Sequence, residues 1–321
     1  MIASVIIATR NKRTLLARTL AALEAQAGCP EDWEIIVVDD ASADGTADLL
    51  AASAARSGSR LRVVRCAANV GRAAARNRGA EAATGRWLLF LDDDILAGPG
   101  LLAAHLSRLV AGADVGTIGR VRTAPEIVDA PHFHYLDTRG AAKVAGDAVP
   151  ARYFVTQNAA VPREAFQAVG GFDERFSAYG FEDAELAFRL ADRRGLRFLA
   201  VPGPVPCHLH HHTLEQVLAK KRECGRWALP LLARLHPERI PEMRLHWVIG
   251  VGRHRPPSPV IAAFRAWAHG RGPATLQARL EGWPVQRGFR PVCARFYARG
   301  LDLLVLAAYR RGLEEGERAR S

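Results

Sequence analysis

Residues 87–94 have the sequence Trp-Leu-Leu-Phe-Leu-Asp-Asp-Asp, in which an apolar run ends in three carboxylates. A short apolar run bounded by polar residues predicts a strand that is buried on both faces. Adjacent carboxylates repel one another unless a cation compensates, and oxygen-rich clusters suit Mg²⁺ or Mn²⁺. If the backbone stays extended, Asp92 and Asp94 point the same way and could share one metal ion. The alternative is an acidic loop or a cluster that caps a helix.

Strands and helices alternate on both sides of this run. The predicted strands are residues 4–9, 34–38, 61–65, 87–91, 115–121, 154–161 and 196–201. The predicted helices are residues 14–25, 46–55, 73–83, 101–111, 163–169 and 182–193, and a long loop is expected over 125–152. This order is typical of an α/β fold with right-handed βαβ units and a parallel sheet. Ligands bind at the carboxyl ends of such strands, where Thr9, Asp39 and Asp40 would join the aspartates.

The charge of the chain is unevenly distributed. The 321 residues carry a formal charge of +11, from 44 Lys+Arg and 33 Asp+Glu. Residues 1–214 hold 24 basic and 24 acidic side chains, whereas residues 215–321 hold 20 basic and 9 acidic ones. We therefore expect a charge-balanced domain over residues 1–213 and a basic, mainly helical region over 214–321.

Cysteine usage and the apolar runs bear on the cellular compartment. The five cysteines are scattered and form no CxxC pair, which is typical of reduced thiols in the cytosol. The first residues lack the basic region of a signal peptide, and no apolar run approaches the roughly 20 residues of a membrane span. We expect a cytoplasmic protein, with peripheral contact at the inner face of the membrane as a further option.

A second chemical signal lies in residues 69–79, Asn-Val-Gly-Arg-Ala-Ala-Ala-Arg-Asn-Arg-Gly. Arg72, Arg76 and Asn77 fall in the first turns of a predicted helix. Guanidinium groups and unpaired backbone N–H donors at a helix start bind anions such as a diphosphate. A solvated basic helix face is the alternative.

Glu182 and Asp183 begin another predicted helix. Capping and the helix dipole are a sufficient structural reason for two carboxylates at this position. The functional interpretation is a base that takes a proton from an incoming hydroxyl group. The spacing does not choose between the two.

A histidine-rich run follows the last predicted strand. In residues 207–212, Cys-His-Leu-His-His-His, alternation puts His208, His210 and His212 on one side of an extended segment. Neutral imidazole is a good metal ligand, although a zinc site would usually include a Cys pair or an HExxH helix. A polar loop is the alternative.

Taken together, these segments resemble the family 2 glycosyltransferases, which have the GT-A fold. The matching segments are residues 4–11, 37–42, 44–46, 69–71, 75–77, 84–85, 90–94, 170–174 and 181–183, with Gly79, Leu186 and Arg189. Their order and spacing agree over roughly residues 1–225, about two thirds of the chain. Each segment alone is weak evidence for the family, but the whole set in this order is highly specific for it. The resemblance implies a Rossmann-like mixed sheet flanked by helices, followed by a helical C-terminal extension.

The resemblance implies a role for each matching residue of a nucleotide-sugar site. Thr9, Asn11 and Asp40 correspond to contacts with the nucleotide base and ribose. Asp39 corresponds to an assisting residue. Arg76 corresponds to a position near the nucleotide or its diphosphate.

The same resemblance implies a metal site. Asp92 and Asp94 correspond to the two acidic positions of the family's DxD motif, with Asp94 as the direct metal ligand. Asp92 and Asp93 are also expected to bind the nucleotide-sugar. His208 corresponds to a histidine near the metal and the diphosphate, and His210 competes for this role because the register of the histidine run is open.

The chemistry that the resemblance implies is sugar transfer. Asp183 corresponds to the catalytic base, and Glu182 precedes it as in the family pattern. A single displacement would move a sugar from a nucleotide diphosphate, UDP by family analogy, to a hydroxyl group and invert its configuration. Mn²⁺ or Mg²⁺ would neutralise the leaving diphosphate. The acceptor is expected to be a saccharide, a lipid-linked compound or a small molecule, as in polysaccharide or glycoconjugate biosynthesis.

Other classes of protein fit the sequence less well. A nucleotidyltransferase or a Rossmann dehydrogenase would have a Gly-rich loop after the first strand, where residues 9–13 are Thr-Arg-Asn-Lys-Arg. The basic last third interleaves arginines with aromatic residues, as nucleic-acid-binding surfaces do, but no nucleic-acid motif accompanies them. A predicted helix over residues 295–311 could instead lie on an anionic membrane, pack on the catalytic domain or form a homodimer contact.

Overall fold

The computed structural model of the chain describes residues 2–110, 112, 114–127, 130–209, 212–249, 258–282 and 291–320. The chain forms two compact units. The first unit comprises Met1–Ile127, Asp137–Ser177 and Glu182–His211. The second unit comprises Val128–Leu136, Ala178–Phe181 and His212–Ser321.

The strands of the described residues all lie in the first unit. They are β1 (Ala3–Thr9), β2 (Trp33–Asp39), β3 (Leu61–Arg65), β4 (Trp87–Leu91), β5 (Ile95–Leu96), β6 (Val115–Ile118), β7 (Arg122–Thr123), β8 (Ala148–Val149), β9 (Asn158–Pro162), β10 (Arg197–Ala200) and β11 (Cys207–His208). The α-helices are α1 (Arg13–Glu24), α2 (Thr46–Ser57), α3 (Arg72–Ala82), α4 (Leu101–Leu109), α5 (Pro131–Asp137), α6 (Arg163–Ala168), α7 (Glu182–Arg194), α8 (Leu214–Arg226), α9 (Ala228–Leu235), α10 (Pro259–His269), α11 (Gly272–Glu281) and α12 (Pro291–Arg318).

Eight strands form one mixed sheet in the order β3-β2-β1-β4-β9-β6-β10-β8. β3, β2, β1 and β4 are parallel to one another, as the alternation of strands and helices predicts. β9 is antiparallel to β4 and β6, and β8 is antiparallel to β10. The sheet is therefore mixed, which confirms the sheet type that the resemblance implies. The parallel pairing that the alternation of strands and helices indicates does not extend to β8 and β9.

The sheet separates two apolar cores. Ile6 and Phe90 face the core that α3 and α7 cover, whereas Val5 and Leu89 face the core that α1 and α4 cover. α3 approaches β1 so closely that a Cβ at Gly79 would lie 2.5 Å from Ile6 Cγ2. Covered on both faces, the central strands hold the residues at their ends in fixed positions.

Three predicted elements differ from the structure. The strand expected over 154–161 is β9, which begins only at Asn158. Residues 196–201 are not the last strand, because β11 follows and joins β5 and β7 in a second sheet of three short strands. The segment 125–152, expected to be a loop, contains α5 and β8. Elements this short span too few periods for a hydrophobic repeat to reveal them.

The basic last third folds as helices α8 to α12 of the second unit. The helix predicted over 295–311 belongs to α12, and its Tyr297, Leu301 and Leu304 are buried in an apolar cluster with Leu214 and Leu280. None of the helices in the described part of the chain has both the length and the apolar composition that crossing a bilayer requires.

α8 and α12 pack with their backbones almost in contact. A Cβ at Gly312 would lie 1.8 Å from the carbonyl oxygen of Arg222, and a Cβ at Gly225 would lie 2.2 Å from that of Tyr309. Arg222 and Glu315 form an ion pair across the same contact. Only residues without a Cβ fit at these two positions, so the glycines determine how closely the helices approach.

Candidate functional site

The carboxyl ends of β1, β2 and β4 lie side by side at one edge of the sheet. The parallel register pairs Thr9 at the end of β1 with Asp39 at the end of β2, and β4 ends one residue before Asp92. Thr9 Oγ1 donates a hydrogen bond to Asp93 Oδ2 at 2.7 Å, which joins the ends of β1 and β4 directly. The sheet therefore brings together the strand-end residues that the sequence predicts as one site.

The three aspartates after β4 do not continue the strand. The backbone turns, and the Ile95 N–H donates to the Asp92 carbonyl oxygen at 3.3 Å. The condition for a shared orientation of Asp92 and Asp94, an extended backbone, is therefore not met, and the segment is an acidic turn. The two carboxylates have different partners and belong to two separate clusters.

The Lys12 cluster comprises Lys12, Asp93, Asp94 and His208. Lys12 Nζ lies 3.0 Å from Asp93 Oδ1 and 2.7 Å from Asp94 Oδ2. Burial opposes the charged ammonium, yet the two carboxylates raise the pKa of Lys12. Burial raises the pKa of Asp93 to about 6, against the attraction of Lys12. Burial acts in the same direction on Asp94, but His208 and Lys12 outweigh it and hold the pKa of Asp94 well below its usual value.

His208 reaches Asp94 because of the small second sheet. β11 pairs antiparallel with β5, the strand that follows the aspartates, and this register sets His208 opposite Ile95. His208 Nε2 lies 3.1 Å from Asp94 Oδ1. A carboxylate oxygen beside an imidazole nitrogen is a donor pair that suits a first-row divalent ion. His210, the competing candidate, lies outside the described residues.

The Arg76 cluster comprises Arg76, Asp92, Glu182 and Asp183. Arg76 is only 7% exposed, and its guanidinium lies 3.3 Å from Asp92 Oδ1, 3.2 Å from Glu182 Oε1 and 3.8 Å from Asp183 Oδ1. Burial opposes the charge of Arg76, but the three carboxylates raise its pKa. Arg76 therefore does not lie on a solvated helix face, and it bridges carboxylates from β4 and α7.

Asp183 lies in the first turn of α7, where the helix dipole favours a negative charge. Thr156 holds both of its oxygens, with Oγ1 donating to Oδ1 at 2.9 Å and the backbone N–H donating to Oδ2 at 3.3 Å. Burial raises the pKa of Asp183 to about 7, and Glu182 and Asp92 act in the same direction while Arg76 opposes them. Glu182 Oε2 is buried and accepts no hydrogen bond from any described residue. The cluster thus contains a carboxyl group that exchanges its proton near neutral pH, beside a buried acceptor.

The residues predicted to contact the nucleotide organise the neighbouring loops. Asn11 Oδ1 accepts a hydrogen bond from a backbone N–H of the β2–α2 loop at 2.8 Å, and Asp39 Oδ1 accepts one from the same loop at 2.9 Å. Asp40 accepts from two backbone N–H groups just before α3, at 2.7 and 3.1 Å. An open cavity of 510 Å³ begins at the residue after Asp40. It is lined by Ala41, Ser42, Arg65, Cys66 and Ala67.

Sequence reasoning missed Lys12 and Thr156. Lys12 follows the end of β1, and a lysine in the loop opposite three carboxylates is a signal that could have revealed it. Thr156 carries no local signal, because its partner Asp183 lies 27 residues further along the chain.

The chain is similar in sequence to known glycosyltransferases. Residues 4–170 match the family described as Glycosyl transferase family 2, and residues 142–212 match the N-terminal domain of galactosyltransferase. Validoxylamine A glucosyltransferase of Streptomyces hygroscopicus subsp. limoneus is 36% identical over 216 residues, which cover 58% of this chain and 47% of that protein. Pre-mycofactocin glycosyltransferase of Mycobacterium tuberculosis is 29% identical over 283 residues, which cover 81% of this chain and 56% of that protein. The chain spans about half the length of these relatives.

The fold is also similar to solved structures. A mannosyltransferase from Pyrobaculum calidifontis, in complex with GDP-Man and Mn²⁺, has a TM-score of 0.60 and 22% identity, with 96% of this chain and 86% of that chain covered. S. aureus TarS 1–349, in complex with UDP-GlcNAc, has a TM-score of 0.55 and 16% identity, with 99% of this chain and 92% of that chain covered. These similarities show a GT-A fold. Together with the family match over more than half of the sequence, they show that the chain belongs to glycosyl transferase family 2.

Proposed function

We propose that the protein transfers a sugar from a nucleotide-diphosphate donor to a hydroxyl group of an acceptor. The observation that carries this proposal is the pair of clusters at one edge of the sheet. Asp94 and His208 offer metal ligands at 3.1 Å from each other, and Asp183 offers a base whose pKa is raised to about 7. The reaction has two chemical requirements. The negative charge of the leaving diphosphate must be neutralised, and the acceptor hydroxyl group must lose its proton. Membership of the family supports the same reaction.

We place the nucleotide at the open cavity beside β2 and β3. Asn11, Asp39 and Asp40 order the loops that border this cavity, and Arg65 adds a positive charge to its lining. The donor we propose is a UDP-sugar; of the two solved structures described above, one contains GDP-Man and the other UDP-GlcNAc. Saccharide, lipid-linked and small-molecule acceptors all provide the hydroxyl group that the reaction needs.

We propose Asp94 and His208 as the protein ligands of a divalent cation, Mn²⁺ or Mg²⁺. Their donor atoms are close enough to share an ion, and such ions are commonly held by one or two carboxylates together with substrate phosphates. When bound, the ion would neutralise the charge that develops on the leaving diphosphate. Asp92 contacts Arg76 instead, so we assign it to the donor sugar rather than to the ion.

The side chains of the Arg76 cluster supply the proton transfer. Asp183 takes the proton of the acceptor hydroxyl while the acceptor oxygen bonds to the anomeric carbon. The bond from that carbon to the phosphate oxygen breaks on the opposite face, and its electron pair leaves with the nucleoside diphosphate. This single displacement inverts the configuration. Glu182 Oε2, a buried acceptor that accepts no hydrogen bond from a described residue, is placed to accept one from a substrate hydroxyl.

A panel of nucleotide-sugars with Mn²⁺ or Mg²⁺ tests this function. A ligand that binds the folded state raises the melting temperature, so the correct donor should stabilise the protein and do so more strongly with the ion. Asp94→Asn should abolish the additional rise in melting temperature that the ion causes. Glu81→Gln, which removes an exposed carboxylate of α3, should leave that rise unchanged. Transfer from the selected donor, followed by NMR of the product, gives the anomeric configuration. Absence of stabilisation by every nucleotide-sugar, with either ion, contradicts the proposal.

A further inference from the structure

Lys12 supplies a positive charge where the proposed function requires a metal ion. Its Nζ bridges Asp93 Oδ1 and Asp94 Oδ2 at 3.0 and 2.7 Å. Both oxygens of Asp94 are therefore engaged, Oδ2 by Lys12 and Oδ1 by His208 at 3.1 Å. The side chain of Asp94 is 3% exposed, so its charge depends on these partners rather than on water.

The backbone around Lys12 fixes this arrangement. Asn11 adopts a left-handed conformation, with φ of 53°, and the turn makes Lys12 the residue that precedes α1. Asp93 is held from the other side, because its carboxylate accepts from Thr9 at 2.7 Å and its carbonyl oxygen accepts from Thr19 at 3.0 Å. The lysine thus contacts a carboxylate that cannot turn away from it.

A divalent ion held by Asp94 and His208 would share the Asp94 carboxylate with the Lys12 ammonium. Two positive charges that share one buried carboxylate repel each other strongly. Lysine is a compact charge on a flexible stem, and the Lys12 side chain is already 29% exposed, so it can move outward. Asp93 is less free to move, because its carboxylate accepts a hydrogen bond from Thr9 and its backbone carbonyl oxygen accepts one from Thr19.

We infer that Lys12 is a built-in counter-ion that must be displaced from Asp94 before the divalent ion binds, and that the donor diphosphate attracts the displaced ammonium. This inference rests on the proposed metal site. Its consequence is that metal and donor assist each other's binding, since the donor lowers the cost of moving Lys12 and the metal releases Lys12 toward the donor. Without nucleotide, Lys12 keeps the affinity for the ion low.

Manganese affinity measured by electron paramagnetic resonance tests the competition without an activity assay. In the absence of nucleotide, Lys12→Gln should bind Mn²⁺ about tenfold more tightly than the wild type, and Lys12→Arg, which keeps the charge, should resemble the wild type. Arg10→Gln removes an exposed charge from the same loop and is the matched control, with unchanged affinity expected. UDP should increase the Mn²⁺ affinity of the wild type by a larger factor than that of Lys12→Gln.

Chemical labelling of the wild-type protein gives a second readout that needs no variant. Acetylation of the Lys12 amine, quantified by mass spectrometry, should increase severalfold on saturation with Mn²⁺. Acetylation of Lys143, an exposed lysine of the same unit, should stay constant.

The possible outcomes separate the inference from the proposed function. Equal Mn²⁺ affinities of Lys12→Gln and the wild type overturn the inference alone, as does constant labelling of Lys12 in protein shown to hold Mn²⁺. A wild-type protein that binds no Mn²⁺ even with UDP overturns the proposed metal site, and the inference with it.

Discussion

Thr156 hydrogen-bonds both oxygens of Asp183, with its hydroxyl at 2.9 Å from Oδ1 and its backbone N–H at 3.3 Å from Oδ2. One residue of the segment before β9 therefore orients the first turn of α7. Asp183 cannot rotate without losing both bonds, so a substrate bound as we propose would meet this carboxylate in a single orientation. Preorganisation of this kind is what a positioned base requires.

Replacing Asp183 by Asn should remove transfer but leave donor binding intact. The amide keeps the size and one acceptor atom of the carboxylate, yet it cannot take a proton. We expect kcat to fall by about 10²–10⁴-fold, which is the usual contribution of a general base. Turnover and the calorimetric affinity for the nucleotide are measured on the same preparation. Full turnover by Asp183→Asn would show that another group is the base.

The rate should depend on pH through the same carboxyl group. Burial, helped by Glu182 and Asp92 and opposed by Arg76, raises the pKa of Asp183 to about 7, and the base acts only when it is ionised. We therefore expect kcat/KM to fall about tenfold per pH unit below pH 7 and to level off above it. Initial rates between pH 5.5 and 8.5 check this. A profile that is flat down to pH 5.5 contradicts the assignment.

Asp183 should also make the folded protein less stable as the pH rises. Its pKa is about 7 in the folded state and about 3.9 in an unfolded chain, so between these values the folded state holds a proton that the unfolded state has lost. The stability of the wild type relative to Asp183→Asn should fall from pH 4 to pH 7 and stay low above it. The quantity to compare is the melting temperature of Asp183→Asn minus that of the wild type. We expect this difference to be several degrees larger at pH 8 than at pH 5. A constant difference across this range argues against the raised pKa.

His208 should contribute more than His210 to the affinity for the ion. His208 Nε2 lies 3.1 Å from Asp94 Oδ1, so its imidazole can share an ion with that carboxylate. We expect His208→Ala to weaken Mn²⁺ binding in the presence of UDP by about tenfold or more. Electron paramagnetic resonance gives the affinities, with His210→Ala as the comparison. A larger loss of Mn²⁺ affinity in His210→Ala than in His208→Ala would identify His210 as the ligand instead.

The glycines of α12 differ in what they tolerate. Gly312→Ala forces a Cβ to 1.8 Å from the Arg222 carbonyl, so α8 and α12 must separate, at a cost of about 1–3 kcal/mol or more. Gly300→Ala is the matched control, because its Cβ would lie at ordinary contact distances of 3.4 Å or more from Leu280 and Leu276. Alanine there should be neutral or stabilising by up to about 1 kcal/mol, since it favours the helix. Urea unfolding measures the change in the free energy of unfolding for each of the two variants. Equal effects of the two variants would mean that the close packing of the helices is not needed.

The sequence predicts the first half of the large sheet well. β1 to β4 and the helices between them are local apolar patterns, and parallel pairing makes their carboxyl ends converge wherever the strands lie in the sheet. Thr9, Asp39 and Asp92 could therefore be grouped without knowing the strand order. The alternation of strands and helices did not reveal the antiparallel course of β9, because the direction of that strand depends on its pairing with β4 and β6, which lie far from it along the chain.

The side-chain contacts of the site could not be predicted in the same way. Lys12 and Asp94 are 82 residues apart, and Arg76 and Glu182 are 106 residues apart. Their contacts depend on which strands become neighbours and on a turn at Asp92 that breaks the two-residue repeat. The sequence could therefore identify candidate residues for the chemistry, but not which of them compensate one another's charge.

The contact between α8 and α12 has a consequence for the order of events during synthesis. Arg222 and Glu315, paired across this contact, are separated by 93 residues. At about 5–20 residues per second a ribosome needs roughly 5 to 20 s to make that stretch, and until then α8 has no partner at Gly225. A nonsense codon ahead of Gly312 would therefore release a chain in which α8 lacks the helix it packs against at Gly225, and chaperones and proteases act on chains that remain unfolded.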